Sequence, residues 1–176
     1  FFSISQKQNC HMKQKEYLLT MIKGANEELI QKAKEKGFEI VFKMHPNAME
    51  FIDLFEKNEY VTFDTESRYH DIICDSALMI TDYSSVSYDF AYLKKPIVYY
   101  QYADDYHFDS DSAYLNNTDS GFGDVVKEEE DLINKIIYYL DNDCVMEEKY
   151  KDNVDKFFKF TDKNNSKRVH NWIKEH

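Results

Sequence analysis

The 176 residues carry 33 acidic against 22 basic side chains, a formal net charge of −11, with 43% hydrophobic and 16% aromatic residues. That is enough apolar material for one core, and with 4 Gly and 2 Pro it excludes a disordered or linker-like chain. The charge repels nucleic-acid backbones, so no nucleic-acid partner is expected, and any site for a phosphorylated ligand must be built locally from a few basic groups and helix N-termini. No run of about 18 apolar residues marks a transmembrane helix. Phe1–Ser5 is followed too soon by polar residues to read as a signal peptide. Cys10, Cys74 and Cys144 are far apart with no CxxC pair, which predicts reduced thiols and neither a metal site nor a cofactor.

Residues 1–24 yield no firm element and read as a truncated start, although Phe1–Ser5 has the composition of a strand remnant. Residues 25–176 read as one domain. From Glu16 to Lys36 the apolar positions Leu18, Leu19, Ile22, Leu29, Ile30 and Ala33 recur at helical spacing, and Gly37 ends that helix. Phe38–Phe42 is a buried strand closed by Pro46, and Asn47 caps a helix to about Lys57. Tyr60–Phe63 is a second strand, Ser67 caps a helix over Arg68–Ser76, and Ala77–Ile80 is a third strand. A helix over Val86–Leu93 ends at Lys94-Lys95-Pro96 before a fourth strand, Ile97–Tyr100. A polar loop spans 101–124, Val125-Val126 is a short strand, and helices follow at about 129–141, 144–158 and 164–175.

Short continuous apolar strands alternating with helices predict an α/β fold, a Rossmann-like parallel sheet with helices on both faces. Such sheets bind ligands at the C-terminal ends of their strands, which is where Lys43–His45 and Asp82–Ser85 fall. In Thr81-Asp82-Tyr83-Ser84-Ser85 a strand empties into a helix whose first turn offers free N–H groups and two hydroxyls, a seat for phosphate. The plainer reading is that one serine caps the helix. Lys43 and His45 lie two apart at a strand end and can face the same pyrophosphate. Alternatively Lys43 is solvated and His45 only marks the turn before Pro46.

Taken together, Phe42-Lys43-Met44-His45-Pro46 and Ile80-Thr81-Asp82-Tyr83-Ser84-Ser85 with Asp89-Phe90 closely resemble the CDP-glycerol glycerophosphotransferase family. The likeness continues through Leu93-Lys94-Lys95-Pro96-Ile97 and Gly121-Phe122-Gly123, covering about residues 38–140. The resemblance implies the C-terminal, donor-binding half of a GT-B-type transferase. That enzyme would move glycerol-phosphate or ribitol-phosphate from CDP-glycerol or CDP-ribitol onto a teichoic-acid-like envelope polymer. It implies that His45 is the catalytic group on the donor phosphates, an electrophile more than a base. Ser84 and Ser85 hold the pyrophosphate, Lys43 lines the same site, and Asp82 fixes the turn or reaches the donor. The general base and the polymer acceptor belong to an N-terminal half that is not in this chain, so the domain alone is expected to bind donor but turn over poorly. The full-length protein is expected in the cytoplasm at the inner face of the membrane, with peripheral membrane association. Two rivals stay open: a GT-B glycosyltransferase using a nucleotide sugar, and a nucleotide-binding module without chemistry of its own.

Other residues are weaker candidates. Asp109-Ser110-Asp111 has the form of a metal motif but lies in a loop dense with carboxylates. His70 and His107 lack partners at metal-ligand spacing. Tyr99, Tyr100 and Tyr102 can stack a base or pack in the core, and Trp172, with Val169 and Ile173, predicts a core or inter-domain contact.

Overall fold

The computed structural model describes residues 27–43, 60–82, 84–101 and 121–176. Helix α1 spans Glu27–Glu35, and strands β1 (Ile40–Lys43) and β2 (Val61–Asp64) follow. Helix α2 (Tyr69–Asp75), strand β3 (Met79–Thr81), helix α3 (Val86–Tyr92) and strand β4 (Ile97–Tyr100) come next. Strand β5 (Asp124–Val126) leads to helices α4 (Glu129–Asp141), α5 (Glu148–Phe157) and α6 (Asn165–Glu175). Every described element expected from the sequence is present, with ends shifted by a few residues. Residues 44–59, which include the helix expected from Asn47, lie outside the described set.

All described strand pairs are parallel, as continuous apolar strands require, and the described strands form two ladders. One sheet holds β1 and β2, the other β3, β4 and β5 in that order. Ile40 opposes Val61 and Lys43 opposes Asp64, while Thr81 opposes Tyr99 and Tyr100 opposes Val126. Among the described residues β1 pairs only with β2 and β3 only with β4, so no ladder of backbone hydrogen bonds joins the two sheets.

Helices cover both faces. Strand alternation sends Val98 and Tyr100 to one side, where they pack with Leu29 and Ala33 of α1 and Leu132, Ile136 and Tyr139 of α4. Ile97 and Tyr99 point to the other, against Ile73 of α2, Phe90 and Ala91 of α3, and Val154 of α5. Each fully buried Phe, Ile or Met contributes about 1.5–3 kcal/mol, and Phe90, Ile97 and Met79 are all completely inaccessible to solvent.

Local chemistry sets the element ends. Gly37 sits at φ +73° past α1, and Phe38 donates its N–H to the carbonyl of Ala33 at 2.8 Å, closing the helix as expected. Lys95 reaches the end of α2, its ammonium donating to the carbonyls of Ile73, Cys74 and Ser76 at 3.0, 2.6 and 2.7 Å. A cation there satisfies free carbonyls and the negative end of the helix dipole. Ser67 does not cap α2: Arg68 occupies that position with no side-chain cap bond. Helix α6 buries none of its residues, and Trp172 is 61% exposed, so its apolar stripe is not core within the described residues.

Candidate functional site

Because β1 and β2 pair in parallel, Lys43 and Asp64 end their strands in the same sense, and Thr81 ends β3. The register makes Lys43 and Asp64 direct neighbours, and both side chains are largely enclosed, at 7% and 15% exposure. The Lys43 ammonium donates to Asp64 Oδ1 at 3.2 Å and to the Ser67 carbonyl at 2.6 Å. Asp64 Oδ1 also accepts the N–H groups of Glu66 and Ser67 at 3.0 and 2.8 Å, an Asx turn that folds the β2–α2 connection over the strand end. Partial burial pushes the Asp64 carboxyl up, but bonds from the Ser67 hydroxyl and N–H, Lys43 and the Glu66 N–H outweigh it and hold the group at about 2. Lys43 is therefore not a solvated lysine. Two of its three N–H bonds fasten the β2–α2 turn.

The second element begins at Asp82, 8% exposed, immediately after β3. Ser84 turns the chain: its carbonyl accepts the Ser87 hydroxyl at 2.8 Å and the Ser87 N–H at 3.2 Å, and its Oγ accepts the Val86 N–H at 3.3 Å. Ser85 occupies the cap position of α3 but makes no side-chain cap bond. The capping alternative thus fits Ser84, through a two-residue turn, and not Ser85, whose exposed hydroxyl has no part in closing the helix.

His45, Tyr83, Tyr102, His107 and Asp109–Asp111 lie outside the described residues. Tyr99 and Tyr100 are each 4% exposed and on opposite faces, so both serve the core, and burial pushes the Tyr99 phenol up to about 12. His70 is a surface residue 3.3 Å from Asp71. Among the described residues no group of three or more His, Cys, Asp or Glu is arranged to hold a metal, and no helix is long and apolar enough to cross a membrane.

Asp64 was not singled out from the sequence, although Asp64-Thr65-Glu66-Ser67 has the form of an Asx turn. A second carboxylate cluster lies at the N-terminal end of β5, in the other sheet. Asp124, the first residue of β5, accepts the Tyr139 and Tyr150 hydroxyls at 2.8 and 2.9 Å and pairs with Lys135 at 2.9 Å. Burial raises the Asp124 carboxyl, but Lys135 and the two phenols overcome it and hold it below its ordinary range. This edge is remote from the strand ends that bind ligands in such sheets.

These features define a parallel α/β domain with polar groups at the strand ends, Lys43–Asp64 after β1 and β2 and Asp82 after β3. The model of the CDP-Glycerol:Poly(glycerophosphate) glycerophosphotransferase family matches residues 12–175, and the chain belongs to that family. It is similar to the minor teichoic acid biosynthesis protein GgaB of Bacillus subtilis (strain 168), 47% identical over 151 residues, 85% of this chain and 17% of GgaB. It is also similar to the teichoic acid ribitol-phosphate polymerase TarL of Staphylococcus aureus (strain NCTC 8325 / PS 47), 27% identical over 81% of this chain and 25% of TarL. Among solved structures, the wall teichoic acid polymerase TagF shares the fold, with a TM-score of 0.61 and 20% identity over 85% of this chain and 37% of TagF. A TagF variant soaked with CDPG superposes at a TM-score of 0.63 and 21% identity, over 99% of this chain and 41% of that one. The chain thus spans well under half the length of these relatives.

Proposed function

We propose that this chain is the donor-binding part of an enzyme that transfers glycerol-phosphate or ribitol-phosphate from a CDP-alcohol to a teichoic-acid-like envelope polymer. The observation that carries this reading is the family match across residues 12–175, with the Asp82–Ser85 turn at the C-terminal end of a parallel strand. Residues 25–176 form the domain in this reading. Ser85, and the Ser84 hydroxyl proton, bind the donor pyrophosphate beside the first N–H groups of α3, and the buried Asp82 holds that turn in place. His45 supplies positive charge to the leaving CMP phosphate. Lys43 has one N–H bond left after Asp64 and Ser67, so its main part is to fix the floor beside His45.

The reaction is attack of a polymer hydroxyl on the phosphorus that bears the alcohol, with CMP leaving. The P–O bond to the acceptor forms, the P–O bond to CMP breaks, and the hydroxyl proton passes to a base outside this chain. This domain contributes positioning and charge stabilisation. The polymer acceptor belongs to the rest of a longer protein, which works in the cytoplasm at the inner face of the membrane, in peripheral contact with it.

The test is calorimetric titration of the chain with CDP-glycerol, CDP-ribitol, CMP and UDP-glucose, repeated on Ser84→Ala/Ser85→Ala and on His45→Ala. Tighter binding of the CDP-alcohols than of UDP-glucose, weakened at least about tenfold in both variants, is the expected result, each tenfold being 1.4 kcal/mol. A preference for UDP-glucose would transfer the site to a nucleotide-sugar enzyme. Unchanged binding in both variants would remove these residues from it.

A further inference from the structure

Helix α3 buries one face, made of Ser87, Phe90 and Ala91. Phe90 and Ala91 pack there with Ile97 and Tyr99 of β4. Ser87 heads this apolar face at 3% exposure, with a hydroxyl where alanine would suit the helix better. A buried hydroxyl is costly unless it is hydrogen-bonded, and this one is bonded on two sides. Its Oγ–H donates to the Ser84 carbonyl at 2.8 Å, beside the Ser87 N–H, which donates to the same oxygen at 3.2 Å. The Tyr99 phenol, 4% exposed, hydrogen-bonds the Ser87 side chain from the strand. A carbonyl oxygen can only accept, so the single Ser87 proton goes to Ser84 and the Tyr99 O–H donates to Ser87 Oγ. Burial pushes the phenol up to about 12, so that proton stays in place at neutral pH.

The consequence falls on the peptide unit between Ser84 and Ser85. That unit is planar and trans, so its C=O and N–H point in opposite directions. Two donors of Ser87 draw the carbonyl inward, and the Ser85 N–H is thereby turned away from the helix body. The Ser84 hydroxyl is held as well, since its Oγ accepts the Val86 N–H at 3.3 Å. One donor alone would let the peptide tilt. A second donor, braced by a phenol on a buried strand, ties the turn to the sheet.

We infer that Ser87 and Tyr99 are positioning residues of the donor site, a hydroxyl pair that fixes the Ser84–Ser85 peptide so that the Ser85 N–H meets the donor pyrophosphate. This rests on the donor reading given above and adds to it two residues that touch no substrate, as their burial requires. Donors fixed before the ligand arrives need no rearrangement on binding or in the reaction, which is where such groups gain their effect.

The experiment compares Ser87→Thr with Ser87→Val, side chains of nearly one shape of which only threonine keeps the hydroxyl. Any packing strain is common to both, so their difference isolates the hydrogen bond. CDP-glycerol is titrated calorimetrically into each, and the Ser85 amide proton is followed by NMR. Binding should be about three- to tenfold weaker in the valine variant than in the threonine variant, the range of one hydrogen bond. The downfield shift of the Ser85 amide on adding CDP-glycerol should persist with threonine and shrink with valine. Tyr99→Phe should act in the same direction by about two- to threefold, the low end of that range. A purely structural bond would lower only the urea stability of the valine variant, and equal affinities and equal amide shifts would overturn the inference. If neither Ser87 variant folds, Tyr99→Phe decides, and unchanged binding with an unchanged Ser85 shift overturns it. In either case weaker binding by Ser84→Ala/Ser85→Ala would leave the donor reading standing, whereas a wild-type chain that binds no CDP-glycerol would overturn both.

Discussion

Two largely enclosed carboxylates, Asp64 at the C-terminal end of β2 and Asp124 at the N-terminal end of β5, are used differently. At the C-terminal edge Asp64 is satisfied by its own loop, through the Glu66 and Ser67 N–H groups, and by Lys43 of the neighbouring strand. At the N-terminal edge Asp124 is satisfied by side chains of α4 and α5, Tyr139, Lys135 and Tyr150. The first arrangement shapes a turn at the strand ends where the donor site is proposed, and the second fastens two helices to the sheet. A change at Asp64 should therefore be felt in binding, and a change around Asp124 in global stability.

The largest effect is expected beside Asp124. A Cβ at Gly123 would stand 2.0 Å from the Ile97 carbonyl oxygen, where β5 joins β4, and neither backbone can yield without parting the strands. Gly123→Ala should cost more than about 3 kcal/mol in urea unfolding, at the upper end of overpacking penalties. A cost below about 1 kcal/mol would mean that the strands are not this close. By contrast Gly37, at φ +73° with open space around its Cα, should lose only about 1 kcal/mol as alanine, from backbone strain alone.

Next is Tyr139→Phe, which withdraws a buried donor from Asp124. A loss of about 1–3 kcal/mol is expected, with donor titration unchanged. Weaker donor binding in this variant would break the separation of the two edges. Lys43→Met inverts the pattern: a loss of up to about 2 kcal/mol by the same reasoning, accompanied by weaker CDP-alcohol binding as the β2–α2 turn loosens. If the affinity is untouched, that turn is not part of the site.

The smallest effect is a pH dependence. The Asp64 carboxyl is held at about 2, below the unfolded carboxylate value of about 3.9. A depressed acid stabilises the fold fully above the unfolded value and loses that contribution as the pH falls through the folded one. The stability gap between the wild type and Asp64→Asn should accordingly narrow from about pH 4 to pH 2 and stay constant above pH 5. A gap that widens on acidification would refute the assignment.

Much of this molecule is legible in its residues. Continuous apolar strands require burial on both faces, and Ile97–Tyr100 accordingly has all four residues buried. Gly37 marks a helix end because only glycine enters φ +73° without strain. The Asp82–Ser85 turn was readable as a strand-to-helix junction because β-formers, polar turn residues and a helical period succeed one another there. The roles of Lys43 and Asp64 were not, since they lie 21 positions apart and meet only when parallel pairing sets their register. For the same reason Lys95 read as the residue before a proline and not as the clasp on α2, and of the two readings of Trp172, core or inter-domain contact, its exposure removes the first within the described residues.

Local pattern thus determined which segments are strands and helices, because these follow from periodicity and turn chemistry within a few residues. Only the tertiary structure decided which charges neutralise each other and which helix faces are covered. Those outcomes depend on register and crossover direction, which bring together residues that share no local signal.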